Sequence, residues 1–252
     1  MPPRQGTTSL RLACPRIPSS LPTPAPELND YVYIYQHVPK CGGTSFRVAC
    51  LHYFAEIHEV PPSRDDIAAW ETYQKNKPDF SKLPPNTIIT GHLIHDGTRP
   101  RERYAEEISR GGVRILTILR DPLARLVSLY HFAQQNGREM PVTLEERLRR
   151  TRNPISRNLG FDGSNAEEFL RGFFLVGLTE RLQDTIDLLA HSIGREPIQV
   201  SRENAAKEQR KADVSPEALE RFRANNRTDF ELYNTAVAIF RERCRRELGR
   251  DG

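Results

Sequence analysis

The chain has 252 residues, 37% hydrophobic and 28% charged, which suits one α/β domain with a sizeable core and argues against wholesale disorder. No apolar run approaches the roughly 18 residues that cross a bilayer. A balance of 37 basic against 33 acidic residues leaves a charge of +4, too mild to mark a nucleic-acid binder but favourable to an anionic ligand.

Residues 1–30 hold seven of the 19 prolines, mixed with Ser and Thr, and read as a loose arm because proline removes donors and blocks regular structure. Arg4, Arg11 and Arg16 enclose no apolar core of secretory length, and Cys14, Cys41, Cys50 and Cys244 form no C-x-x-C pair or zinc spacing. Reduced thiols in a cytoplasm are therefore expected. A folded domain is predicted over 31–248, opening with the β-branched and aromatic run Tyr31–Val38. Further strands are predicted at Thr87–Thr90, Val113–Leu119, Phe173–Gly177 and Pro197–Val200. Helical periodicity marks Thr44–Ile57, Asp65–Asn76, Pro122–Gln135 and Thr179–Ile193, and then Ser215–Asn226 and Asp229–Leu248. In Pro122–Gln135 the apolar positions Leu123, Leu126, Val127 and Tyr130 share one face, Asp121 is the expected N-cap, and Pro122 occupies the first turn. Alternating strands and helices predict a P-loop-like three-layer α/β fold, a central parallel sheet flanked by helices, with a purely helical C-terminal end.

The most informative stretch is Val38-Pro39-Lys40-Cys41-Gly42-Gly43-Thr44-Ser45-Phe46. A strand runs into two glycines and then a helix, an order that lets successive N–H groups turn toward one anion at a helix N-terminus. Lys40 adds a mobile positive charge. Taken alone, a glycine pair with a lysine reads equally as an ordinary turn. The nucleotide P-loop G-x-x-x-x-G-K-[ST] has its lysine after the glycines, and here it comes before them. A second stretch, Arg120-Asp121-Pro122-Leu123-Ala124-Arg125-Leu126-Val127-Ser128, delivers Arg120 at a strand end and Ser128 about two helical turns later. The plainer reading has Arg120 and Arg125 pairing with Asp121 or solvent.

These two stretches resemble the sulfotransferases that use 3′-phosphoadenosine 5′-phosphosulfate (PAPS), whose 5′-phosphosulfate loop reads P-K-x-G-[GT]-T-[ST]. His37-Val38-Pro39-Lys40-Cys41-Gly42-Gly43-Thr44-Ser45-Phe46 is most similar to the carbohydrate branch that includes the heparan sulfate 2-O- and 6-O-sulfotransferases. Cys41 stands where many members carry Thr or Ser. Val176-Gly177-Leu178-Thr179-Glu180 and Asn226-x-x-Asp229-x-x-Leu232-Tyr233 match further family segments, so the resemblance spans roughly Tyr31 to Phe240. It implies that Lys40, Cys41, Gly42, Gly43, Thr44 and Ser45 bind the 5′ end of the cofactor and that Arg120 and Ser128 grip its 3′-phosphate. The product would be 3′-phosphoadenosine 5′-phosphate (PAP), and no metal is expected.

Sulfuryl transfer needs a base for the acceptor proton and a cation for the leaving oxygen. Lys40 suits the second task. For the first, His92 follows a predicted strand and Gly91, which matches a Gly-His of the carbohydrate branch, and His95 is its neighbour on the same loop. His37 and His131 are expected to line the cleft, with His52, His58 and His191 on helix surfaces or in packing. Arg210 and Lys211 are expected, by family position, to close over the cofactor. The basic stretch Arg147, Arg149, Arg150, Arg152, Arg157 is expected to meet an anionic acceptor or to be a solvated helix face. The function expected is transfer from PAPS to a hydroxyl of an acceptor, an oligosaccharide or glycan. Two rivals stay open, a P-loop-like small-molecule kinase and a non-catalytic nucleotide-binding protein.

Overall fold

The computed structural model describes residues 31–63, 65–91, 99–137, 142–200 and 214–251. His92, His95, Arg210, Lys211 and the proline-rich arm lie outside the described residues. Five strands form one all-parallel sheet: β1 (Val32–Tyr35), β2 (Ala55–Glu59), β3 (Thr87–Gly91), β4 (Val113–Leu119) and β5 (Leu175–Leu178), in the order β2-β3-β1-β4-β5. Parallel neighbours need crossovers, and these are supplied by α1 (Gly43–Cys50), α2 (Ile67–Lys75), α3 (Pro100–Arg103) with α4 (Ala105–Ser109), and α5 (Pro122–Gln135) through α8. In that last stretch α6 spans Leu144–Arg150, α7 Pro154–Leu159 and α8 Ala166–Arg171. Helices α9 (Leu182–Ser192), α10 (Pro216–Asn225) and α11 (Arg227–Arg243) follow β5, and a π-helical turn, Cys244–Leu248, ends the series.

β1 is buried on both faces, which is why it reads as continuous V-Y-I-Y rather than as an alternation. Tyr33 and Tyr35 join the larger core with Phe46 of α1, Leu189 of α9 and Phe240 of α11, while Val32 and Ile34 meet Ile89 and Tyr104 on the opposite face. A smaller cluster of Leu126, Leu148 and Phe222 ties α5, α6 and α10 together.

Several sequence expectations change. The helix expected over Thr44–Ile57 stops at Cys50, and Ala55–Glu59 is the edge strand β2, so His58 stands on a strand and not on a helix. As an edge strand it keeps a polar alternation that mimics a helix tail. Pro197–Val200 joins no strand; it is extended chain held by Tyr53 Oη, which accepts from Ile198 N at 3.0 Å, and by Gln183 Oε1, which accepts from Val200 N at 2.8 Å. The first strand ends at Tyr35, placing His37 beyond it. The expected Asp121 cap does form, accepting from Ala124 N at 2.8 Å, and Ser215 likewise accepts from Ala218 N at 3.2 Å with Pro216 in the first turn.

Candidate functional site

The chain leaves β1 toward β2 and β3 on one side and leaves β4 toward β5 on the other, so a crevice opens between the carboxyl ends of β1 and β4. Open α/β sheets bind ligands at such a switch point. The turn after β1 carries Lys40, Gly42 and Gly43, and Arg120 follows the last residue of β4.

Two left-handed residues shape the turn. Lys40 has φ 68° and Gly42 has φ 73°, the latter serving as the N-cap of α1 without a side-chain bond. A Cβ on Gly43 would lie 2.1 Å from Nε2 of His37, so only glycine fits beneath that ring. Phe46 N donates to Gly42 O at 3.0 Å and begins the helical ladder. Among the described residues the N–H groups of Gly42, Gly43, Thr44 and Ser45 have no partner. Four adjacent donors at a helix N-terminus make an anion cradle. Cys41 contributes differently: its N–H closes the turn onto Val38 O at 3.3 Å, and its thiol is buried, with a pKa pushed up to about 12 chiefly by that burial.

The second motif holds the first in place. Arg120 Nη1 donates to Lys40 O at 3.4 Å, and Arg125 Nε donates to Pro39 O at 2.9 Å. Lys40 Nζ lies 3.7 Å from the ring centroid of Phe132. Partial burial, and then the nearby Arg120 charge, lower the Lys40 pKa from its ordinary value. Ser128 is half-buried on α5, one turn before Phe132 and one turn after Arg125, so all three share the helix face turned to the crevice. The crevice therefore gathers Lys40, the glycines, Thr44, Ser45, Arg120 and Ser128.

Sequence reading missed part of this frame. Arg125 pairs neither with Asp121 nor with solvent but is buried, because the inner face of α5 extends past the expected apolar stripe, of which Leu126 is buried and Leu123 packs beside it, to take in Pro122 and Arg125. An arginine three residues before Ser128 and one before Leu126 was the available signal. Thr179 Oγ1 donates to Leu119 O at 3.0 Å, and Glu180 Oε1 accepts from Asp121 N at 2.9 Å, which joins the end of β5 to the end of β4. Burial, and then the Glu180 charge, raise the Tyr233 pKa from its ordinary value. In the basic stretch, Arg149 pairs with Glu145 at 2.6 Å and Arg150 with Glu146 at 3.3 Å, while Arg152 donates to the carbonyls of Arg149 and Thr151. Arg147 and Arg157 have no ion-pair partner among the described residues. No group of three His, Cys, Asp or Glu side chains among the described residues is arranged to hold a metal ion. Nor is any helix there long and apolar enough to cross a membrane.

The sequence model of the Sulfotransferase family matches residues 28–185. Among curated proteins there is no match. A solved sulfotransferase structure from Alicyclobacillus acidocaldarius is similar at a TM-score of 0.45 and 16% identity, over 87% of this chain and 96% of that one. The family match runs across the Lys40 turn, the Arg120 strand end and the Thr179 contact, and the chain accordingly belongs to the sulfotransferase family, whose chemistry is sulfuryl transfer.

Proposed function

We propose that this sulfotransferase draws its sulfuryl group from PAPS and delivers it to a hydroxyl of a carbohydrate acceptor, releasing PAP. The observation that supports the donor most directly is the row of N–H groups from Gly42 to Ser45, unpartnered among the described residues and bordered by Lys40 and Arg120. The surrounding set consists of an ammonium, a guanidinium, hydroxyls and amides, all able to donate, which fits a molecule with phosphate at both the 5′ and 3′ positions. The turn and Lys40 would take the 5′ side, and Arg120 and Ser128 the 3′-phosphate. When bound, PAPS supplies an activated sulfuryl group carried on a phosphate oxygen.

The chain's own residues then have defined tasks. Lys40, whose ammonium rests over the Phe132 ring, would stand against the charge on the leaving oxygen when the donor is bound. Arg120 and the N–H row would hold the phosphates and so orient the donor toward the acceptor hydroxyl. His92, next in sequence after the last residue of β3, takes the proton of the acceptor hydroxyl, with His95 as the alternative base. The carbohydrate acceptor rests on the likeness of the Lys40 turn and of Gly91-His92 to the carbohydrate branch.

Calorimetric titration with PAP, AMP and ATP–Mg²⁺, on wild type and Arg120→Ala, tests the donor. Metal-independent binding that needs the 3′-phosphate and is lost in Arg120→Ala is expected; preference for ATP–Mg²⁺ would promote the kinase reading. Loss of turnover in His92→Ala with PAP affinity intact separates an enzyme from a nucleotide-binding protein.

A further inference from the structure

An anion cradle built from backbone must also dispose of its carbonyls, because an oxygen turned toward the ligand repels it as strongly as an N–H attracts it. In this turn two consecutive carbonyls are drawn aside by two arginines: Pro39 O by Arg125 at 2.9 Å and Lys40 O by Arg120 at 3.4 Å. Arg125 is the unusual member. Only 3% of it is exposed, yet it joins no salt bridge among the described residues. Its neighbours are the Pro39 carbonyl and the protonated Cys41 thiol; the Asp229 carboxylate acts on it electrostatically, and the Arg157 charge opposes it. Asp229 spends both of its oxygens on Ile155 and Ser156. Burial lowers the Arg125 pKa from its ordinary value while Cys41 and the Asp229 charge act the other way, and a guanidinium stays charged at neutral pH.

A buried charge without an ion pair is costly to a fold, and sequences that need only packing at such a place use an apolar residue. We propose that Arg125 is a positioning residue for the anionic donor: it fixes the Pro39–Lys40 peptide with its carbonyl turned inward and lends its unpaired charge to the phosphate turn from beneath, without touching the ligand. Bound anion then adds a second counter-charge, on the turn side of the guanidinium, to that of Asp229. This rests on the reading of the crevice as the donor site and adds a residue whose charge acts through the turn.

The test uses the full chain, with inorganic pyrophosphate and PAP as probes, calorimetry for affinity and thermal melting for folding. Arg125→Gln keeps a donor for Pro39 O and removes the charge; Arg125→Lys keeps the charge. The expected result is about a tenfold or greater loss of pyrophosphate affinity in Arg125→Gln, and a loss of no more than about threefold in Arg125→Lys, at similar melting temperatures. Equal losses in the two, or wild-type affinity in Arg125→Gln, would overturn the proposal. Should neither variant fold, Cys41→Asp sets a carboxylate beside Arg125 and Cys41→Asn is its neutral control. Aspartate is expected to weaken pyrophosphate binding at least tenfold relative to asparagine, and equal binding in the two refutes the inference. Wild type that binds pyrophosphate but not PAP defeats the donor reading and leaves the Arg125 comparison standing; wild type that binds neither defeats both.

Discussion

Asp229→Ala tests how the helical C-terminal end supports the crevice. Asp229 on α11 has no exposed surface, and it accepts three hydrogen bonds, from Ile155 N at 2.9 Å, Ser156 N at 2.7 Å and Ser156 Oγ at 2.6 Å. The two N–H groups belong to the first turn of α7, whose own N-cap, Asn153, has φ 41° and makes no side-chain cap bond. A carboxylate more than 70 positions away in sequence thus caps this helix and sits at the positive end of its dipole. Asn226 completes the clamp, accepting from Asn153 N at 2.7 Å and donating to Thr151 O at 3.0 Å. The far end of α7 is fastened to the strand edge, where Gln36 Nε2 donates to Asn158 O at 3.1 Å and Leu159 O at 3.3 Å. Each charge-assisted bond contributes about 1.5 kcal/mol net or more, and truncation leaves buried donors unpaired, so Asp229→Ala should cost about 3 to 5 kcal/mol. Asp229→Asn keeps one acceptor oxygen and should cost about half as much. Urea denaturation with an unchanged m-value provides the measurement. A loss under about 1 kcal/mol for the alanine variant would show that α7 is held by packing alone and would refute the capping argument.

Two further outcomes are expected. Gly91→Ala should abolish folding or cost about 4 kcal/mol or more, because Gly91 has φ 143° and a Cβ there would lie 1.9 Å from Glu59 O; a soluble variant with wild-type melting would contradict this. Lys40 has a pKa below the ordinary 10.5, and a bound anion favours its ammonium. Pyrophosphate affinity should therefore be full below that lowered value and fall as pH rises through it, earlier than for an ordinary lysine. Lys40→Arg should flatten the profile, and a flat wild-type profile would refute the assignment.

The parts of the fold legible in sequence are those whose signals are local. β1, β3 and β4 announce themselves as apolar runs because the sheet buries them on both faces, and α5 and α10 carry their own caps. β2 was illegible because an edge strand with exposed Ala55 and His58 imitates the polar side of a helix. α7 went unread although Asn153-Pro154 carries a start signal; Asn153, at φ 41°, makes no side-chain cap bond, and the capping carboxylate comes from α11. The phosphate turn could be read because Lys40, the glycines and Thr44 are contiguous. Arg125 could not, because its role depends on a carbonyl 86 positions earlier and on its burial.

The strand order also sets the timing of folding. β1 pairs only with β3 and β4, and its register partners for β4 begin at Val113, about 80 residues further on, while Ile34 and Tyr35 are almost wholly buried in the finished sheet. A ribosome adding about 5 to 20 residues per second leaves β1 without that neighbour for several seconds after it emerges. One edge of this apolar strand stays open until β3 arrives, about 55 residues after Tyr33, and the other until β4, and non-local parallel pairing is intrinsically slow to form. Yield on overexpression should therefore be limited by this waiting time more than by the stability of the finished fold, and slower synthesis or a chaperone that shields residues 31–38 is the natural remedy.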